Sequence, residues 1–158
     1  MKTTLEAAKE QTHKDTVKVL QNIIEKNYDA KKGYAKAMQE AKSPTLKRFL
    51  QQQAAQRGRF ATAIDQKLRQ LGAAPKESGS VTGAMHRTWI DLKSALANND
   101  DEAVLEEVIR GEKASVDKYQ EVIKKNVLVP NVKTVLQSQM FDIQSTLHKV
   151  KRLEDITA

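Results

Sequence analysis

The sequence contains no cysteine, 3 prolines, 6 glycines and few aromatic residues. Without cysteine, the chain cannot use thiol catalysis, disulfide bonds or thiolate metal ligands, so any metal would need nitrogen and oxygen ligands. The shortage of proline and glycine argues against a turn-rich sheet protein. No apolar run has the length of a membrane helix, and the N-terminus lacks the apolar segment of a signal peptide. We therefore expect a cytoplasmic protein made of long helices.

Hydrophobic residues make up 39% and charged residues 30% of the 158 residues, a balance typical of amphipathic helices in one domain. The net charge of +7 would attract nucleic acid, phosphate groups or an acidic partner. The basic residues, however, lie on separate segments and are interleaved with acidic ones. No aromatic or arginine-rich reading surface accompanies them, so nucleic acid is not the expected partner.

Apolar residues recur at steps of three and four over four long segments. These stripes predict helices over about 12–41, 44–71, 101–126 and 131–155. Ser43 and Pro44 suit the N-cap and first position of the second helix, Gly72 suits its C-terminal cap, and Asp100 suits the N-cap of the third helix. The prediction is a single all-α domain over 12–156, preceded by an N-terminal extension over 1–11.

The connection over 73–99 differs in character from the rest of the chain. It begins with Pro75, Ser78, Gly79 and Ser80 and continues as a short amphipathic helix, on which Trp89 is the expected anchor. The Tyr34 region also resembles the Tyr119 region, which suggests a duplicated helical hairpin. We therefore predict two hairpins joined by a long crossover, with the two middle long helices parallel.

Three segments resemble a known family. They are Arg57-Gly58-Arg59-Phe60, the stretch from Ser78 to Leu96, and Arg110-Gly111-Glu112. Together they are similar to a bacterial ferritin-like four-helix-bundle family of unknown function, over about residues 14–154. The resemblance implies a ferritin-like antiparallel four-helix bundle with a short extra helix on its long crossover, and it suggests a stress-associated role.

Polar residues interrupt the apolar stripes near the middle of each long helix. A buried polar group needs a partner, so these residues are expected to satisfy one another, with Arg57 and Glu112 as an ion pair. In the ferritin-like pattern the resemblance places Glu112 at a metal-ligand position, but neutral amides stand at most of the others. We therefore expect a structural network with no metal or other cofactor. The predicted polar layer comprises Asn27, Gln53, Gln56, Arg57, Glu112, Gln139 and Asp142.

Two weaker candidate sites remain. Glu10 and His13 have the ExxH spacing of a metal site but lack further ligands. A possible anion site at the start of the crossover helix would use Ser80, Thr82, His86 and Arg87, although the spacing matches no phosphate-binding fingerprint.

The sequence contains no complete catalytic motif. The leading interpretation is a non-enzymatic helical protein, with a homodimer or other self-association as the expected partnership. The alternatives are a degenerate ferritin-like oxidase or metal-storage protein, and an anion or nucleic-acid binder that uses the basic surface.

Overall fold

The computed structural model describes residues 3–76, 92–98 and 100–156. It contains four long helices, which we number α1 (Thr4–Glu40), α2 (Pro44–Gln70), α3 (Asp101–Lys125) and α4 (Pro130–Lys149). Residues 92–97 are also helical, and Leu153–Ile156 forms a short 3-10 helix. The described residues include no strand, which confirms the all-α prediction. None of the described helices combines the length and apolarity needed to cross a membrane.

The first helix begins at Thr4, well before the predicted start near residue 12. Its N-terminus is a capping box, in which the Thr3 hydroxyl accepts from the Glu6 backbone N–H and the Glu6 carboxylate accepts from the Thr3 N–H. Residues 3–11 are exposed, so no apolar stripe marks this part of the helix. The segment predicted as a separate extension is therefore, from Thr4 onward, the first turns of α1.

The other helix boundaries follow local chemistry. Ser43 caps α2 by accepting from the Leu46 N–H at 3.3 Å, and Asp100 caps α3 by accepting from the Ala103 N–H at 3.1 Å. Gly72 follows α2 with a φ of 77°, a conformation that glycine adopts without strain.

The last helix ends at Lys149 and does not continue to residue 155 as predicted. After Val150 the backbone N–H groups of Lys151 and Arg152 donate to the Asp155 carboxylate at 2.8 and 3.0 Å. These local hydrogen bonds replace helical ones, because an aspartate side chain competes for nearby backbone donors.

The directions of the long helices follow from their contacts. The short turn over 41–43 makes α1 and α2 antiparallel. Between α1 and α3, Asn27 contacts Tyr119 and Tyr34 contacts Glu112, so residue numbers rise along α1 as they fall along α3. Both α2 and α3 are thus antiparallel to α1, and they run parallel to each other, as the long crossover predicts.

The two described ends of the crossover pack against the helices. Ala74 accepts from Gln21 Nε2 at 2.8 Å, and Lys76 Nζ contacts Glu25 Oε2 at 2.8 Å, so the chain leaves α2 by running along α1. At the other end Leu92 is buried. The predicted packing of Trp89 lies outside the described residues.

Buried apolar residues form two clusters. The four-helix cluster is built from α1 to α4 and the turn before α4, and it contains Val19, Leu20, Ile23, Ile24, Phe60, Ala61, Ile64, Leu68, Tyr119, Val122, Leu128, Val132, Leu136 and Ile143. The three-helix cluster is built from α1 to α3 and the 92–98 segment, and it contains Tyr34, Ala37, Ala41, Leu46, Phe49, Leu50, Ala54, Leu92, Ala95, Val104, Leu105 and Val108.

Candidate functional site

A buried ion pair joins α2 and α3 between the two apolar clusters. Arg57 and Glu112 are 2% and 1% exposed, and Arg57 Nη2 lies 2.7 Å from Glu112 Oε2. The guanidinium also lies 6.0 Å from the centre of the Phe60 ring. Burying either charge alone would be costly, whereas the hydrogen-bonded pair is electrically neutral. The two residues therefore depend on each other for their place in the core.

Neighbouring side chains add further hydrogen bonds to the pair, and among the described residues only Arg57 Nε is left without a partner in it. Arg57 Nη1 donates to Asn27 Oδ1 at 3.1 Å, and Nη2 donates to the Ser115 hydroxyl at 3.1 Å. The Tyr34 hydroxyl donates to Glu112 Oε1 at 2.5 Å. Both carboxylate oxygens of Glu112 are therefore engaged, one by a cation and one by a phenol.

A second branch extends from Asn27 to α4. Asn27 Nδ2 donates to the Tyr119 hydroxyl at 3.0 Å, and this hydroxyl donates to Gln139 Oε1 at 2.7 Å. Gln139 Nε2 in turn donates to the Phe60 carbonyl at 3.2 Å. The chain of hydrogen bonds thus contacts all four long helices. We call the connected set the Arg57 network: Asn27, Tyr34, Arg57, Glu112, Ser115, Tyr119 and Gln139.

The network reflects the repeat detected in the sequence. Asn27 precedes Tyr34 by the same seven positions that separate Glu112 from Tyr119. Because α1 and α3 are antiparallel, each tyrosine meets the polar residue of the other helix, Tyr34 with Glu112 and Tyr119 with Asn27. The two contacts between α1 and α3 are thereby reciprocal, as the repeat of the same spacing on two antiparallel helices requires.

Three residues of the predicted polar layer do not join this network. Gln53 is buried and Gln56 is half-buried, and the Oε1 atom of each has no hydrogen-bond partner. The prediction for Asp142 is wrong, because this residue is exposed. Ile143, four positions after Gln139, takes the inward position on α4, as the helical period requires.

Sequence reasoning missed three members of the network: Tyr34, Ser115 and Tyr119. Each lies on an apolar stripe, where a tyrosine ring counts as apolar and a serine as a small residue. The signal was nonetheless present in the seven-residue spacing shared by the two tyrosines. A buried tyrosine hydroxyl usually finds a partner, and the nearest polar positions on the same faces were Asn27 and Glu112.

The ionisable groups of the network have shifted pKa values. Burial raises the pKa of Tyr119 to about 12. Burial, together with the negative charge of Glu112, holds the pKa of Tyr34 well above its usual value. Burial opposes the charge on Arg57, but the attraction of Glu112 and the neighbouring hydroxyls more than offsets this effect and raises its pKa. Both tyrosines are therefore neutral donors at physiological pH, and Arg57 is a permanent cation.

The glycine beside Arg57 accommodates a lysine side chain. A Cβ atom on Gly58 would lie 3.4 Å from Lys31 Cε, so the lysine lies closely against the backbone of α2. An open groove of about 460 Å³ runs past this point, lined by Lys31, Ala55, Gly58, Arg59, Thr62, Ala63 and Gln66.

The structure adds no further metal ligands to the weaker candidate site at Glu10 and His13 within the described residues. His13 Nε2 lies 2.8 Å from the Leu71 carbonyl, a contact that joins the start of α1 to the end of α2. Within the described ranges, no group of three or more His, Asp or Glu side chains is arranged to hold a metal ion. Ser80, Thr82, His86 and Arg87 lie outside the described residues.

Comparison with known proteins identifies the family. The model of the domain of unknown function DUF2383 matches residues 15–125, which is more than half of the chain. The chain belongs to the DUF2383 family. The DUF2383 match covers α1 from residue 15, α2 and α3, but it ends before α4 and is shorter than the expected 14–154. No curated protein and no solved structure matches the chain.

Proposed function

We propose that this DUF2383 chain is a non-enzymatic, ferritin-like helical protein in which the Arg57 network stands in place of a di-iron centre. The helix order supports the ferritin-like assignment, because two antiparallel hairpins joined by one long crossover are typical of that fold. The parallel directions of α2 and α3 are the specific feature on which this argument depends. A stress-associated role is part of the proposal and rests on the family resemblance alone.

The engagement of Glu112 carries the proposal. A di-iron centre of this fold needs several converging carboxylates and histidines around two cations. Here Asn27, Gln53 and Gln139 supply neutral amides at the corresponding positions, and Arg57 places a cation beside the buried carboxylate of Glu112. This donor set does not fit the metal pair, since a guanidinium already neutralises Glu112.

Metal analysis tests the proposal. We expect protein purified without chelator to carry far less than one iron, manganese or zinc per chain, and to bind none of these ions stoichiometrically when they are added. Glu112→Gln is the matched control, because trace metal held by surface residues would persist in this variant. Stoichiometric metal that is lost in Glu112→Gln would contradict the proposal and favour the degenerate oxidase or metal-storage alternative.

The basic surface favours a second candidate, binding of nucleic acid or another polyanion. The net charge of +7 supports weak attraction, but scattered lysines release few counterions at any one site. Binding of a DNA duplex should therefore disappear as the salt concentration approaches physiological strength. Binding that persists at that strength would make this candidate the better one.

A further inference from the structure

The outer face of α4 carries almost no charge. α3 has twelve charged residues among its 25 positions, whereas α4 has three among 20, and these are Lys133, Asp142 and Lys149. At 100° per residue, all three lie at least about 80° around the helix from Phe141. The strip centred on Phe141 is therefore free of charge, although 30% of the whole chain is charged.

Phe141 lies exposed at the centre of this strip. Its side chain is 65% exposed, although it is one of only 3 phenylalanines in the chain. Gln137, Ser138 and Gln144 beside it are exposed, and Ser145 is half-buried. Aromatic residues on a surface depleted of charge are typical of the centre of a protein interface. We call this surface the Phe141 strip: Thr134, Gln137, Ser138, Phe141, Gln144, Ser145 and His148.

We propose that the Phe141 strip binds a second copy of this chain in an antiparallel, two-fold symmetric contact. The strip is self-complementary about Phe141. An antiparallel partner helix centred on this residue places Gln137 opposite Ser145 of the partner subunit and Ser138 opposite Gln144 of the partner subunit. Each pair contains both donors and acceptors, and the two Phe141 rings meet on the symmetry axis, as an isologous interface requires.

The lack of charge on the strip removes an obstacle to a second copy as the occupant. Two chains of net charge +7 repel each other, so a stable contact between them needs a surface on which lysines do not face lysines. The Phe141 strip meets this condition along its length. Among the charged residues of α4, Lys133 approaches Lys149 of the partner subunit at each end of the strip. Added salt should therefore strengthen the dimer by screening this repulsion.

The size of the strip sets the expected strength. From Thr134 to His148 the helix extends about 21 Å, and one helix face buries less than the roughly 800 Å² per partner of a standard interface. The association should be reversible. We expect the mass in sedimentation equilibrium to rise from 17.7 kDa toward twice this value between about 1 μM and about 1 mM chain.

Phe141→Glu tests the surface, because it places two carboxylates together on the symmetry axis. We expect this variant to remain monomeric at every concentration. Leu5→Glu is the matched control, since Leu5 has the same 65% exposure but lies on α1, and this variant should dimerise like the natural chain. A natural chain that stays at 17.7 kDa, or an equal loss of dimer in both variants, would overturn the proposal.

Charge pairs test the antiparallel register. Gln137→Lys with Ser145→Glu should shift dimerisation to at least tenfold lower concentration, since each new cation then faces a new carboxylate of the partner subunit. Gln137→Glu with Ser145→Glu should weaken it by a similar factor. Equal responses of the two double variants would refute the register. This proposal is independent of the Arg57 network, so the metal analysis and these measurements can fail separately.

Discussion

The Arg57 network and the four-helix cluster are both buried and share all four long helices, yet different interactions stabilise them. Leu20, Ile64 and Leu136 in the cluster make apolar contacts, which have no preferred direction. Any closely packed apolar neighbour can provide such a contact. Arg57 and Glu112 need specific partner atoms at hydrogen-bonding distance. The comparison shows that equal burial does not imply equal dependence on one partner.

The two regions also differ in what a second mutation can repair. A cavity in an apolar cluster is not repaired when a second residue is truncated, because the lost contacts are not replaced. An unpaired charge in the network is removed once its partner is also replaced by an apolar residue.

The largest effect is expected for Arg57→Leu. This change leaves the Glu112 carboxylate buried without its cation and should lower the free energy of unfolding by about 3 to 5 kcal/mol. Arg57→Leu combined with Glu112→Leu should recover much of the loss. Urea unfolding of the natural chain, the two single variants and the double variant gives the coupling free energy.

The predicted coupling between Arg57 and Glu112 can also be contradicted. Single effects below about 0.5 kcal/mol that simply add would mean that the two side chains act independently, as solvated residues do. The network would then not be a coupled unit, and the main argument for a converted metal site would be lost.

In the four-helix cluster, Leu136→Ala should lower the free energy of unfolding by about 2 to 5 kcal/mol, with a central value near 3. Leu136 is fully buried on α4. Here a second change should not restore stability, and Leu136→Ala combined with Ile64→Ala should be less stable than either single variant. If the double variant were more stable than Leu136→Ala, the apolar cluster and the Arg57–Glu112 pair would not differ in their response to a second substitution.

A smaller effect is expected for Tyr119→Phe, which removes the hydroxyl between Asn27 and Gln139. The buried amides lose a partner, so stability at neutral pH should fall by about 1 to 3 kcal/mol. Tyr28→Phe is the matched control, because Tyr28 is only partly buried and no hydrogen bond of its hydroxyl contributes to the network. The control should change stability by less than about 0.5 kcal/mol.

Alkaline pH provides a second measurement on the same variant. The pKa of Tyr119 in the folded chain is about 12, above the ordinary tyrosine pKa of 10.0 that applies to the unfolded chain. Its contribution to stability is therefore complete below about pH 10 and is lost as pH rises through about 12. Unfolding curves over this range should fall less steeply for Tyr119→Phe than for the natural chain. Identical pH dependence would mean that Tyr119 titrates as a solvated phenol.

Much of the fold was predictable because helix formation leaves local signals. The caps at Ser43 and Asp100 and the stop at Gly72 depend on residues within one helical turn. The start of α1 at Thr4 was missed because the exposed first turns have no apolar stripe. The end of α4 was missed because hydrogen bonds to Asp155 compete with an apolar pattern that continues past it.

The candidate site was predictable only in part. The sequence indicated which mid-helix positions were polar and proposed Arg57 with Glu112 as a pair. It did not distinguish Gln139, which joins the network, from Gln53, whose Oε1 has no partner. It also placed Asp142 in the core. The buried position is Ile143, one residue further along α4, and Asp142 is exposed to solvent.

The sequence by itself determined that the chain is helical, where three of the long helices begin, and that polar residues interrupt their apolar stripes. Those properties depend on neighbours three or four positions away. Only the tertiary structure decided that the two tyrosines join these polar groups, since Asn27 and Tyr119 are 92 positions apart and Tyr34 and Glu112 are 78 apart. Hydrogen bonds require placement within a fraction of an ångström, and the packing of four helices supplies that placement while residue spacing along one helix does not.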